Sequence, residues 1–592
     1  MCINCGLSGF APLSTSDDGV RPQPVRTHGG TPEPPKTATV LANGAIYTLD
    51  PGTPRAQALA LRGEQIIAVG TDAEALSAAG PQATVIDLNG RMVLPGFIEG
   101  HIHPLVGAFF AAGVDLQLPT KADALDALRA YALTQPSGPV RGFGWRMDMF
   151  GPDGPQRVDL DTVFPDRPAV LVAIDCHSAW VNSAALVAAG IDRDTADPAP
   201  GFSFYARDAA GEPTGFVLEV PAMLAVLEAA EPLTPELFAR LLQEWLPQAA
   251  AAGITALFDA GMPPVGSDPS ALAGLYSALD AHGQLPVRVV VSHLVKGAPI
   301  DGAVAATLDE ASRYNTGMLR GGVLKILGDG TVEGHTAHLL APYADRSESV
   351  GESALTDQQW QHLVSEADAA GLDLHIHTIG DATVRQALDA IEAAIAVNPP
   401  RERRHTLAHL QFIDDADVPR FAALGVIAQF SANWLAVDPG TPVITTRVGK
   451  PRAARQYLVK RLLDTGATVS FGTDWPAASG YSTYRPLAAI ESAVTRRTVG
   501  DPEAPQLQPA DQCLSLAQAL HASTLAPARQ LRLEHLVGSL EVGKAADLIV
   551  LRDNLFEIPS HRIAATPIDM TMVNGYFTHG GPPENTATEI PD

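Results

Sequence analysis

Cysteine is scarce, with four thiols (Cys2, Cys5, Cys176 and Cys513) in 592 residues. So few exclude a disulfide scaffold and suit a reducing compartment, so a cytoplasmic protein is expected. Cys2 and Cys5 stand in Cys-x-x-Cys spacing, but no second pair completes a structural zinc site, and the two read as incidental thiols. Positive charge is also short: 40 Lys and Arg face 66 Asp and Glu, for a net charge of −26. That balance argues against nucleic acid or an anionic membrane as a partner, and says nothing about fold. No run reaches the ~18 unbroken apolar residues of a membrane span. The opening MCINCGLSGFAPL has none of the basic residues that begin a secretory signal.

What the chain has in quantity is core-forming material, at 46% apolar residues. Its length exceeds what one hydrophobic core supports, so about two or three structural units are expected. Residues 1–36, rich in Gly, Pro, Ser and Thr without periodicity, predict a disordered or loosely draped tail, and 581–592 a second tail. From residue 37 the pattern changes to short alternating runs such as ATVLANGAIYTLD and AQALALRGEQIIAVG, strands joined by Asn-Gly and Gly-Glu turns. The same texture returns in GSLEVGKAADLIVLRDN and PIDMTMVNGYFTHGG. Residues 37–96 and 531–580 are therefore expected to form one small β-sandwich domain from both chain ends, with 97–530 inserted into it.

The long middle alternates strands and helices. Strands are predicted at 97–103, 254–261, 287–295, 321–330, 372–377, 405–410, 425–430 and 468–474. Helical patterns separate most of them; in the clearest, Thr356 and Gln359 form a capping box, Trp360, Leu363, Val364 and Ala367 a buried stripe, and Gly371 the stop. Eight β/α units predict an α/β fold, a (β/α)8 TIM barrel with reactive groups at the C-terminal strand ends. An open doubly wound sheet fits the alternation as well. Residues 104–250 are too many for one connection and contain their own strand, AVLVAIDCH (169–177), so an inserted lobe over the barrel mouth is expected.

Polar residues gather where these strands end. In GLDLHIHTIGD (371–381), Leu372, Leu374 and Ile376 share one face, and Asp373, His375 and His377 the other. His101 and His103 close the first strand in the same way. Lys325 lies near the end of the fourth, His409 ends the sixth and Asp474 the eighth. Four imidazoles and a carboxylate suit zinc or a related cation; His375 reads as structural or as an outer partner. An ammonium at 325 would be repelled by cations. A neutral lysine amine reacts instead with CO2 to give a carbamate, an anionic ligand able to bridge two metals. Two divalent ions bring +4, and Asp474, the carbamate and a bridging hydroxide bring −3. Each residue taken singly has a plainer structural role; together they point to a binuclear hydrolase.

These residues, in this order, resemble the amidohydrolase superfamily over residues 37–580: PGFIEGHIHP is similar to its opening motif and GKAADLIVL to its closing β-sandwich signature. Within it the chain resembles the long subgroup typified by N-substituted formamide deformylase, through DCHSAWVNSAALVAAGI, GEPTGFVLE, LKILGDGTVEGHTA, HIHTIGDATV and FGTDWP. The resemblance implies one ion on His101, His103 and Asp474, a second on His377 and His409, and carboxylated Lys325 between them. It implies attack of a bridging hydroxide on an amide or N-formyl carbonyl, with Asp474 moving the proton to the leaving nitrogen. Ester, lactam or phosphoester hydrolysis by the same centre, and a non-catalytic scaffold, are the alternatives. The family often carries Glu before the sixth-strand histidine, where Ala408 stands here, which puts fine tuning in doubt rather than metal binding.

His177, Ser178, Trp180 and Asn182 match the subgroup's His-Ser-x-Trp-x-Asn pattern, which implies a substrate-facing loop with His177 as oxyanion donor. The same residues have a structural reading, Trp180 as core and Asn182 as cap of the helix SAALVAAG. Trp434, Trp475 and Arg496 are expected to border the pocket. The expected partner is a small-molecule amide, and a homodimer is an expectation with no residue pattern behind it.

Overall fold

The computed structural model describes residues 37–151, 154–198, 203–261, 271–478 and 480–581. Cys2, Cys5, the expected tail over 1–36 and all but Gly581 of the one over 581–592 lie outside the described residues. Eight strands pair in parallel, in chain order, in one sheet: β1 (Phe97–Ile102), β2 (Ile254–Asp259), β3 (Arg288–Val295), β4 (Leu319–Leu327), β5 (Asp373–Thr378), β6 (Thr406–His409), β7 (Ile427–Ser431) and β8 (Val469–Gly472). Alternation sets their outer face. Leu324, Ile326, Leu374, Ile376, Leu407, Phe430 and Phe471 share one core with helix residues Trp360, Leu363, Val384, Leu388 and Ile391. The helix Asp357–Ala369 has the expected Thr356–Gln359 capping box and buries the expected stripe.

The sheet curls until β8 meets β1. There Asp474 N–H donates to His101 O at 2.8 Å and His103 N–H to Trp475 O at 2.7 Å. The approach is so close that a Cβ on Gly472 would lie 2.5 Å from His101 N, and one on Gly100 2.7 Å from Phe471 O. Glycine at both positions lets the barrel close. An open doubly wound sheet is thereby excluded.

The segment after β1 builds a mixed six-stranded sheet, ordered Phe204–Arg207, Pro213–Leu218, Ser178–Val181, Ala169–Ala173, Val140–Trp145, Val114–Asp115. The single strand expected over 169–177 stops at Ala173. The chain turns through Cys176, at φ 59°, into the antiparallel strand Ser178–Val181. The helix Pro235–Ala251 buries Trp245 and Leu246 in the same core as Ile254, Leu257 and Val289 of β2 and β3.

Two further sheets join the chain ends. In one, Met92–Pro95 pairs antiparallel with Leu548–Leu551, flanked by Ala45–Tyr47 and Ile568–Val573. The other holds Gln65–Gly70, Ala58–Arg62, Thr39–Ala42 and Thr84–Asp87. Leu41, Leu59 and Ile86 of the second pack with Val93, Leu548, Val550 and Met572 of the first in one core. A buried bidentate pair fastens this unit to the barrel: Arg288, opening β3, meets Asp547 at 2.9 and 3.1 Å, and Asn574 N–H donates to Asp547 at 2.8 Å. Among the described residues no helix is long and apolar enough to cross a membrane. Asp547→Ala strands a guanidinium in a dry interface, and urea denaturation should register a loss of about 3–5 kcal/mol.

Candidate metal centre

The inward faces of the strands converge at one rim. Lys325 on β4 is register partner to His375 on β5, and Leu327 to His377. His101, His103, Lys325, His377, His409 and Asp474 are all buried, none more than 3% exposed. His101 Nε2 and His103 Nε2 stand 3.3 and 3.4 Å from Asp474 Oδ1, and His409 Nδ1 stands 3.3 Å from Oδ2. The His409 ring centroid lies 4.7 Å from that of His101 and 4.5 Å from that of His377. His377 Nε2 faces Gly330 O at 3.4 Å and Asp329 Oδ1 at 3.7 Å.

In three of these rings one nitrogen is secured and the other is not. His101 Nδ1 meets His375 Nε2 at 2.9 Å, His103 Nδ1 donates to Gly261 O at 2.9 Å, and His409 Nδ1 meets Ser431 Oγ at 3.0 Å. Their Nε2 atoms, with Asp474 Oδ1, have no hydrogen-bond partner among the described residues. A buried polar atom left so costs about 1–3 kcal/mol, and those of His101, His103 and Asp474 make a set that a divalent ion satisfies. His101, His103 and Asp474 bring their ligand atoms within 4.8 Å of one another. Outer partners that fix Nδ1 are how metal-ligating imidazoles are commonly oriented.

Electrostatics put these groups in their ligand forms. Burial, then the charge of Lys325, lowers the pKa of His101 well below its ordinary value and that of His377 to about 3. Burial also lowers His409, against the opposing pull of Asp474. For Asp474 burial works upward, but His409, His103 and Lys325 outweigh it and the carboxyl titrates below its usual range. The neutral imidazoles of His101, His377 and His409 and an ionised carboxylate are thus present together near neutral pH. The backbone is strained at two of these positions, His409 at φ 74° and Asp474 at φ 56°.

Several supporting residues escaped the sequence reading. Glu99 lies on β1, two residues before His101. Burial raises it to about 8, and it accepts from Thr473 N–H at 2.7 Å and Oγ at 3.0 Å, holding the residue before Asp474. Asp329, after β4, accepts from the N–H groups of His338, Ile379 and Gly380 at 3.0, 3.0 and 2.8 Å, tying together the loops beside His377. Both act through buried backbone contacts that spacing does not reveal.

Residues 84–579 match the amidohydrolase family. The chain belongs to that family. It is an amidohydrolase, a hydrolase of carbon–nitrogen bonds other than peptide bonds. Among its relatives are the N-substituted formamide deformylase of Arthrobacter pascens, 29% identical across 91% of this chain and 98% of that protein. The putative amidohydrolase YtcJ of Bacillus subtilis is 29% identical across 84% and 91%. An uncharacterised metal-dependent hydrolase from Pyrococcus horikoshii OT3 shares the fold, with a TM-score of 0.69, 22% identity, and coverage of 88% of this chain and 99% of that one.

The residues expected to touch substrate divide. Trp434 lies parallel to His409, ring centroids 5.3 Å apart and planes at 14°, with its indole donating to Ala477 O at 2.9 Å. His177 is part-exposed and pairs with Glu219 at 2.9 Å. The other four are engaged by the protein itself. Asn182 is fully buried; its Oδ1 accepts from Ala169 and Ala185 N–H at 2.9 Å each, and its Nδ2 donates to Phe164 O at 2.6 Å and Arg167 O at 2.8 Å. It caps the helix Ser183–Ala188. Trp180 is core, donating to Gln156 O at 2.9 Å. Arg496, also fully buried, directs its guanidinium to the carbonyls of Leu507, Tyr457, Gln456 and Gln508. Trp475 is shut inside against Trp245, centroids 5.1 Å apart at 11°. Asn182, Trp180 and Arg496 spend their hydrogen bonds on backbone carbonyls and N–H groups, and Trp475 is enclosed by other rings.

Because Gly472 touches the His101 backbone, Gly472→Ala should disturb both the barrel seam and the centre. A stability loss of about 1–3 kcal/mol is expected in denaturant, with less metal retained than wild type after identical loading and dialysis.

Proposed function

We propose that this amidohydrolase cleaves an amide or N-formyl bond of a small molecule at a centre of two divalent ions, zinc being the metal expected. His101, His103 and Asp474 would hold one ion, His377 and His409 the other, and a carboxylated Lys325 would bridge them. The observation that carries this reading is the set of buried ligand atoms without hydrogen-bond partners, the Nε2 atoms of His101 and His103 beside Asp474 Oδ1, with that of His409 likewise unpartnered. The deformylase relative, matched along nearly its whole length, supports the N-formyl substrate class. Lys325 supports the bridge: it is fully buried, on the inward face of β4, within electrostatic reach of His101, His377 and Asp474.

When bound, the ions would supply a polarised carbonyl and a water acidic enough to attack near neutral pH. The protein's own groups do the rest. Asp474 is ionised and faces the centre, so it accepts the proton of the attacking water and returns it to the leaving nitrogen. Trp434 covers one side of His409 with an apolar ring that excludes solvent. His177 donates to the carbonyl oxygen as negative charge gathers on it.

Elemental analysis of the purified protein should give about two divalent ions per chain. A panel of N-formyl amines and aryl amides should then yield turnover that falls by at least about 10²-fold in Lys325→Ala. Undiminished turnover in that variant after chelation would remove the proposal, and turnover of esters or phosphoesters alone would move it to those bonds.

A further inference from the structure

The inserted sheet carries a second constellation, separate from the metal ligands. His177 sits in the turn between Ala169–Ala173 and Ser178–Val181, with its N–H donating to Asp175 Oδ1 at 2.9 Å. Its Nδ1 meets Glu219 Oε2 at 2.9 Å, while Glu219 N–H donates to the His177 carbonyl, so side chain and backbone pair the same two residues. Both arms of this pair are strained. Cys176, immediately before His177, is at φ 59°, and Glu219 is at φ 64°, ψ 154°. The Glu219 conformation is one that essentially only glycine adopts freely. A glutamate there is a standing cost that a glycine would relieve. The chain nonetheless carries a carboxylate at that point, bonded to an imidazole.

The pair is linked through Glu333 to the loop that follows β4. Glu333 lies three residues past Gly330, whose carbonyl faces His377, and it is within electrostatic reach of His177, Asp175 and Asp438. Asp438 in turn follows Trp434, which lies on His409, by four residues. Loops after β4 and β7 and the inserted sheet therefore meet here.

We propose that Glu219 is the positioning residue for His177, holding its Nδ1–H so that the opposite nitrogen, Nε2, presents a proton to the oxygen of the substrate carbonyl. Glu219 fixes ring orientation and stabilises the charged imidazole; His177 makes the contact. The inference rests on the amide-hydrolase reading for what His177 donates to, but the pair itself can be tested without turnover. Burial works against a charged His177, yet Glu219, Asp175 and Glu333 outweigh it and the imidazole titrates above its ordinary value. Among the described residues, carboxylates act on His177 from the end of the Pro213–Leu218 strand, from its own turn and from the loop after β4.

The experiment uses the metal-loaded enzyme with formanilide, which is both an N-formyl amine and an aryl amide, and four variants: Glu219→Gln, Glu219→Ala, Glu219→Gly and His177→Gln. Histidine side-chain NMR, with His177 assigned through its own variant, should show the imidazole pKa falling by about one unit in Glu219→Gln. The kcat for formanilide should fall by at least about tenfold in Glu219→Gln, with KM changed less and the alkaline limb moved to lower pH. Glu219→Gly should melt at or above the wild-type temperature and above Glu219→Ala, while losing turnover as both other Glu219 variants do. Stability gained with turnover lost is a pattern that a merely structural glutamate would not give. An unshifted His177 titration in Glu219→Gln overturns the proposal, as does a Glu219→Gly enzyme that melts lower and keeps its kcat. If wild type hydrolyses no amide, the substrate reading has failed, and the NMR and melting comparisons still decide the pair.

Discussion

Desolvation at the barrel mouth is the constraint on which the rest of this molecule depends. Five basic side chains and one carboxylate are taken out of water within a few ångströms of one another. Burial alone would empty such a cavity of charge, and it does drive the imidazoles neutral. It does not neutralise Asp474, because the surrounding nitrogens favour the anion. The outcome is a cavity that is costly without cations and favourable with them. Outer contacts from His375 and Gly261 then turn the Nε2 atoms of His101 and His103 toward Asp474, and Ser431 holds the His409 ring.

Closure of the barrel and assembly of the centre are the same event. The hydrogen bonds that join β1 to β8 are made by the backbones of His101, His103, Asp474 and Trp475. Two of those residues are neighbours in the eighth strand's outgoing turn and two end the first strand. Ligands at opposite extremes of the barrel sequence are thereby held in register by main chain, not only by the ion they would share. The positive φ values at His409 and Asp474 show side chains aimed against backbone preference where strands end.

Strand-end histidines were legible because a strand has a two-residue period. Once Leu374 and Ile376 are assigned to the helix side, His375 and His377 can only face inward. The eight strands and the capping box at Thr356 follow from equally local rules. The substrate-facing set was not legible, because a short motif names residue types and not directions. Trp180, Asn182, Trp475 and Arg496 are all capable of binding a ligand in the abstract; what decides is whether a backbone carbonyl or a second ring already occupies them. Glu99 and Asp329 were missed for the complementary reason: their partners are main-chain groups brought near by the fold, which no spacing records.

The sheet that pairs Met92–Pro95 with Leu548–Leu551 has a consequence for biosynthesis. The earlier strand leaves the ribosome hundreds of residues ahead of its neighbour and must wait as an open edge while the whole barrel is translated. Nascent chains stalled inside the barrel expose that edge, and they are the species from which chaperone demand and edge-to-edge association would arise. Completion of the sheet therefore waits on release of the last strands, which Arg288 of the barrel holds through Asp547.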